Sequence, residues 1–190
     1  MLRTAFKEWA VICKALAEGR QALILRKGGI SESGGVFKPE HARFWLYPTY
    51  LHQQSDGIKA EAMSLLQGVE DDRPTTGTIR LRHVAEVSGI FFVRHLENAL
   101  ALNHLHLWSE DTVCKRFAYR EPGLYVLPVR IYRVPVAAEL PETAEYDGCK
   151  TWVELERELS DDNAVPVLDP RSYATILEEI DRILHPTMFA

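Results

Sequence analysis

The sequence predicts an α+β fold: a small, strongly bent sheet or β-barrel with flanking helices and a C-terminal helix. Three observations carry this prediction. Helical and extended periodicities follow one another in the order helix, strand, strand, helix, long β segment, helix, β, helix, without the regular βαβ alternation of a parallel sheet. The β-rich run LYVLPVRIYRVPV contains Pro128 and Pro135, which imply an edge or a bend. Residues 169–184 then combine an Asp169 N-cap, Pro170 at the first helical position and an apolar stripe of Tyr173, Ile176, Leu177, Ile180, Ile183 and Leu184. At 190 residues the chain is long enough for one domain, with residues 160–190 as an acidic helical appendage, and too short for two independent ones.

Each element has its own signal. Phe6, Trp9, Ala10, Cys13, Leu16 and Ala17 recur at helical spacing behind Thr4 as N-cap, and Gly19 suits the C′ position. That pattern predicts a first helix, read as folded structure and not as an export signal. Gln21 to Arg26 reads as a strand stopped by Gly28 and Gly29. A loop leads to a second strand at Phe44 to Tyr47, and residues 55–68 read as helix before the breaker-rich DDRPTTG. Thr78 to Val93 predicts one long strand or two broken near Gly89. Glu97 to Tyr119 predicts a helix.

Composition narrows the class of partner. Apolar residues make up 46% and charged residues 26%, ordinary for a globular protein, and no apolar run approaches the ~18 residues of a membrane span. Cys13, Cys114 and Cys149 are odd in number and far apart, which points to a reducing, cytoplasmic setting without a disulfide framework. The net charge of −5 is unevenly spread: +4 over residues 1–60, zero over 61–138 and −9 over 139–190. A basic N-terminal third attracts phosphate. The acidic C-terminal helix is either a solvated face or a docking element for a protein partner.

The densest group of chemistry-bearing residues is EHARFWLYPTYLHQQ, residues 40–54. His41, Arg43, Tyr47, Tyr50, His52 and Gln53 offer donors and π faces beyond what burial requires. If residues 43–47 form a strand, Phe44 and Leu46 share one face and Arg43, Trp45 and Tyr47 the other. His41 and His52 are candidates for proton transfer, with Glu40 placed to orient an imidazole. In LRKGG, Arg26 and Lys27 put a bidentate donor and a point charge beside backbone that a phosphate or carboxylate can approach.

The chain resembles, over EWAVICKALAEGRQALILRKGGI, FWLYPTYLHQ and YDGCKTWVEL, the bacterial domain-of-unknown-function 1802 family, which implies no activity. A more distant resemblance is to the PUA-like superfamily, particularly its ASCH branch of small β-barrels associated with RNA metabolism. Those domains follow a helix with Gly-x-Lys-x-x-Glu-x-Arg. Here Gly19 and Arg26 hold the first and last positions, while Gln21 and Ile24 replace the Lys and Glu. The order of elements from Ala85 to Trp152 adds to the likeness. Together, the basic third, LRKGG and the aromatic run predict binding of RNA or another single-stranded nucleic acid. Arg26 and Lys27 hold phosphate, Trp45, Tyr47 and Tyr50 stack on bases, and Arg43, His41, His52 and Gln53 supply polar contacts.

The competing class is an enzyme, either a divergent metal-dependent nuclease or, as the PUA-like resemblance permits, a small hydrolase of nucleoside-like amides. A PD-(D/E)xK nuclease needs an acid two residues before a lysine, and the seven lysines are preceded there by Ala5, Ile12, Leu25, Val36, Gly57, Val113 and Gly148. Glu8, Glu32, Glu40 and Asp56 are the acids such a nuclease would use, and a divalent metal enters only with that reading. No cofactor motif of the Gly-x-Gly-x-x-Gly or P-loop type occurs. His104, His106 and Cys114 lack a fourth ligand for zinc, and Cys149 beside Lys150 reads as a turn cysteine.

Overall fold

The structure is a computed structural model that describes residues 1–27, 42–50, 53–148 and 150–185. Along the chain run β1 (Leu2–Trp9), α1 (Ala10–Ala17), β2 (Leu23–Arg26), β3 (Arg43–Thr49), α2 (Met63–Asp71), β4 (Thr78–Val87), β5 (Phe91–Val93), α3 (Leu96–Ala101), α4 (Glu110–Ala118), β6 (Leu124–Pro141), β7 (Trp152–Leu159), β8 (Val165–Pro166) and α5 (Pro170–Leu184). The strands form one open, mixed sheet in the order β2-β6-β4-β3-β1-β7, with β5 and β8 added to β6. Among the described residues only the β1–β3 pair is parallel. The predicted α+β class and C-terminal helix are both present.

Strand β6 is the spine. Its first residues pair with β2 and β5, its middle with β4 and β8, and its end with β4 again. Opposite the step from Leu81 to His83, its register jumps from Ala138 to Arg133, so Pro135 falls in a bulge where no ladder hydrogen bond is required of it. This is the bend that the prolines predict.

Two apolar cores lie on opposite faces of the sheet. The first gathers Phe6, Phe44, Trp108 and Trp152 with α1 to α5, including Ile180 at 0% exposure. The second contains Ala5, Trp45, Tyr47, Leu81, Val84, Tyr146 and Leu155 and draws on strands and the turn at Tyr146, with no α-helical residue. Among the described residues no α-helix covers that face, and the sheet curls over its own side chains there, in keeping with its strong curvature.

Two sequence expectations change, and one strand, β7, is unexpected. Residues 2–9 are a strand, because alternation sends Ala5 into the second core and Phe6 into the first while β3 and β7 pair on either side. Those tertiary ladders override the helical spacing, and helix begins only at Ala10. Its end matches the prediction: Gly19 at φ +69° lets Arg20 N donate to Ala15 O and Gly19 N to Leu16 O in a Schellman motif. The 97–119 helix is two helices, because His106 to Trp108 run extended, Trp108 bridges Ile58, and Ser109 caps a new helix by accepting from Thr112 N. Strand β7 has a period-two signal in Val153, Leu155 and Leu159, all turned into the second core.

Helix α5 is no free appendage. Tyr173 and Ile180 are buried and Ile176, Ile183 and Leu184 pack on the first core, so its apolar stripe is used internally and its polar face, with Arg171, Glu178, Asp181 and Arg182, meets solvent. Among the described residues no helix is long and apolar enough to cross a membrane.

Candidate ligand-binding cleft

Strands β1 and β3 run parallel and in register, Lys7 beside Tyr47 and Trp9 beside Thr49, so both deliver their C-terminal ends to the same edge. There α1, the end of α2, the turn at residues 72–77, the start of β4, residues 142–148 and Lys150 surround a cleft of about 680 Å³. That volume suits a ligand of nucleotide size. Its walls carry Lys7 and Arg26 within, Lys14 from α1, Arg73, Arg80 and Arg82 from the turn and β4, and Lys150, against only Glu8, Asp72, Glu142 and Asp147. Seven cations face four acids in a chain whose net charge is −5.

The inner wall is built around Glu8, which is 2% exposed. Its Oε1 accepts from Trp9 N at 2.9 Å. Its Oε2 lies 3.7 Å from Arg26 Nη1, an ion pair too long for a hydrogen bond, and has no hydrogen-bond partner. Arg26 lies over the Phe6 ring at 4.8 Å and donates through Nη2 to Thr151 Oγ1 at 3.0 Å and Lys7 O at 3.3 Å, while its Nε is buried without an acceptor. Behind this pair, outside the cleft, Arg116 stacks on Trp108 at 3.6 Å and donates to Leu25 O at 3.2 Å. Burial lowers the Arg116 pKa to about 10, against the pull of Glu8. One carboxylate thus serves two guanidiniums.

The outer wall differs. Arg80 donates to Glu139 at 2.8 Å and pairs with Asp72 at 3.3 Å, and Arg82 reaches the same Asp72 at 3.5 Å. The Arg73 guanidinium lies 4.5 Å over the half-buried Tyr50 ring. His83 is held neutral by burial and then by Arg133, Arg82 and Lys14, which bring its pKa down to about 4. Burial, with Glu8 beside it, raises the Cys13 thiol well above its ordinary value, so Cys13 is a packed thiol and not an activated nucleophile.

The structure divides the residues predicted from sequence. Arg26, Tyr47 and Tyr50 converge on the cleft. Tyr47 is buried, its ring under Lys7 at 5.5 Å and its hydroxyl on Glu142 at 3.3 Å; burial, then Glu142, raise its pKa. Trp45 is 0% exposed in the second core with its Nε1 on Leu2 O, so it offers no face to a base, because both faces of β3 are covered. Lys27 points away, donating to the carbonyls of Phe117, Glu121 and Gly123 to close the end of α4. Arg43 is bound by Glu86 at 2.6 Å and Asp161 at 2.8 Å beside Tyr132. Gln53 accepts from Val11 N at 2.8 Å, an N-terminal cap for α1 supplied from a distant segment. Glu40, His41 and His52, with Gly28, Gly29, Glu32 and Cys149, lie outside the described residues.

His106 is buried whereas His104 is exposed and bound to Glu179 at 2.8 Å, and no three His, Cys, Asp or Glu side chains form a metal-binding group among the described residues. Sequence reasoning named Glu8 only as an acid of the nuclease reading and missed Lys7, Arg80, Arg82 and His83. The first two sit in a segment read as helix, where the register beside Tyr47 and Pro48 is invisible. The alternation of Arg80, Arg82 and Leu81 in RLRH was the available signal for the others.

Comparison with known proteins gives a family. Residues 5–179 match the family described as Domain of unknown function (DUF1802), and the chain belongs to it. No curated protein matches. Among solved structures, the ASCH protein of Zymomonas mobilis is 11% identical, with a TM-score of 0.45 over 92% of this chain and 93% of that one. Two mutant forms of it are each 10% identical over 92% of this chain, with TM-scores of 0.47 and 0.46 over 94% and 96% of theirs.

Proposed function

We propose that this member of the family binds single-stranded nucleic acid, RNA foremost, in the cleft at the ends of β1 and β3. One observation carries the reading: an acidic chain gathers seven Lys and Arg against four acids around a single cavity of about 680 Å³. Phosphates are drawn to the outer cations, and the surrounding acidity confines binding to that cavity. Tyr50 under Arg73, together with the half-buried Trp9, replaces Trp45 as the stacking surface. A concave site of this size admits an extruded nucleotide and not the side of a duplex.

Fluorescence anisotropy with labelled single-stranded RNA, single-stranded DNA and duplex DNA tests this across a salt series with magnesium present. Affinity for the single strands that falls linearly in log–log form with salt is the expected result, at a slope of roughly −0.7 per phosphate contacted. No binding to any probe at low salt refutes the proposal. Anisotropy that first rises and then falls below the free probe would report cleavage, and with it the nuclease reading.

A further inference from the structure

We infer that the inner wall of the cleft, Glu8 with Arg26, reads the hydrogen-bonding edge of an unpaired nucleobase, while phosphate is held only at the rim; this rests on the nucleic-acid reading above. A phosphate presents acceptors and negative charge alone. Arg26 Nε can donate to it, but the buried Glu8 carboxylate alongside, whose Oε2 has no hydrogen-bond partner, repels its charge and receives no donor from it. What this wall lacks is a neutral group that carries a donor beside an acceptor. Glu8 Oε2 takes an N–H, and the unpartnered Arg26 Nε gives one to a neighbouring carbonyl or ring nitrogen.

Every nucleobase has such a donor and acceptor side by side on its Watson–Crick edge and phosphate does not; the ribose hydroxyls also carry both, and an abasic strand separates them from the base. Both atoms are closed to solvent in this structure, so the Glu8 and Arg26 side chains must turn toward the base to read it, and each atom then gains the partner it lacks. Glu8 Oε1 is already committed to Trp9 N, so one carboxylate oxygen and not two does the reading. Apolar atoms of Ala10, Leu46 and Val69 line the same cleft and flank a flat ring. The requirement for a free Watson–Crick edge excludes paired bases, which makes strand selectivity a consequence of this wall and not of the cations.

The test compares a base-bearing single strand with an abasic strand of the same length and charge, on the wild-type protein and on Glu8→Gln. The wild type is expected to prefer the base-bearing strand by tenfold or more with equal salt slopes. Glu8→Gln is expected to bring the two within about threefold by weakening only the base-bearing strand. Equal wild-type binding to both strands overturns the inference while leaving the nucleic-acid reading intact; absence of binding to both removes the two together. Should Glu8→Gln fail to fold by circular dichroism, competition on the wild type decides: excess uridine or cytidine displacing the strand where ribose 5-phosphate does not supports the inference, and the reverse order overturns it. A Glu8→Gln protein that folds but weakens both strands alike makes Glu8 a structural group and also overturns it.

Discussion

Replacing Asp72 by Asn should tighten nucleic-acid binding. Asp72 is the acid that holds both Arg80 and Arg82 on the cleft wall, and its side chain is 61% exposed, so its loss costs little stability. Arg80 keeps Glu139 at 2.8 Å, and the wall moves from seven cations against four acids to seven against three. A unit charge about 7 Å from a phosphate in water contributes roughly 332/(80 × 7), about 0.6 kcal/mol, so two phosphates at that wall bring about 1.2 kcal/mol before screening. With a Debye length of about 30 Å at 0.01 M salt, about 0.9 kcal/mol survives, a gain of ~5-fold; at 0.15 M about 0.5 kcal/mol survives, ~2-fold. Anisotropy titrations at the two salt concentrations measure this, with Glu178→Gln on the exposed face of α5 as the control of equal charge change. A gain in affinity has no explanation in a damaged fold. Equal effects of the two substitutions, or no effect of either, refute the placement of phosphate in this cleft.

Trp45→Ala, made in a fully buried ring, should lower unfolding free energy by about 3–5 kcal/mol in urea titrations, whereas Tyr50→Ala should weaken single-strand binding by about 1–3 kcal/mol with a near-normal urea midpoint. Ile180→Ala should cost about 2–5 kcal/mol, because Ile180 is closed in the first core; a loss under 1 kcal/mol would make α5 the detachable element that its acidity suggests. Burial holds His83 near pKa 4 and His106 near 3, and unfolding returns both to about 6.5. The unfolded chain therefore takes up protons first, and the stability present above pH ~6.5 is lost as pH falls toward 4, at up to about 1.4 kcal/mol per unit and per group. Urea midpoints at pH 7.5 and 5.0 should separate in the wild type and draw together in a His83→Gln/His106→Gln double variant.

Local signals were legible wherever they were also decisive. Asp169-Pro170 and the stripe behind it specify α5, Gly19 specifies the end of α1, and Pro135 marks the bulge of β6. Residues 2–9 were not legible, since Phe6, Trp9 and Cys13 fit helical spacing and break the strand alternation that carries Ala5 and Phe6 to opposite faces, and only the ladders to β3 and β7 decide for the strand. The candidate site suffered from the same ambiguity. Arg26 and Tyr50 stood out for their chemistry, but Glu8 lay on a misassigned element and the Arg80–Asp72–Arg82 bridge is made only after folding. Trp45 misled for the opposite reason: an aromatic residue in a polar neighbourhood of sequence lies in an apolar neighbourhood of space.

The most direct test is an NMR titration of the isotope-labelled protein with a short single-stranded RNA, followed through amide shifts. The account predicts that the shifts cluster at Lys7 to Ala10, Thr49, Tyr50, Arg82 and Gly148, around the cleft. Shifts centred instead on the exposed Phe92 and Arg94, or no shifts with RNA in excess at low salt, would contradict it.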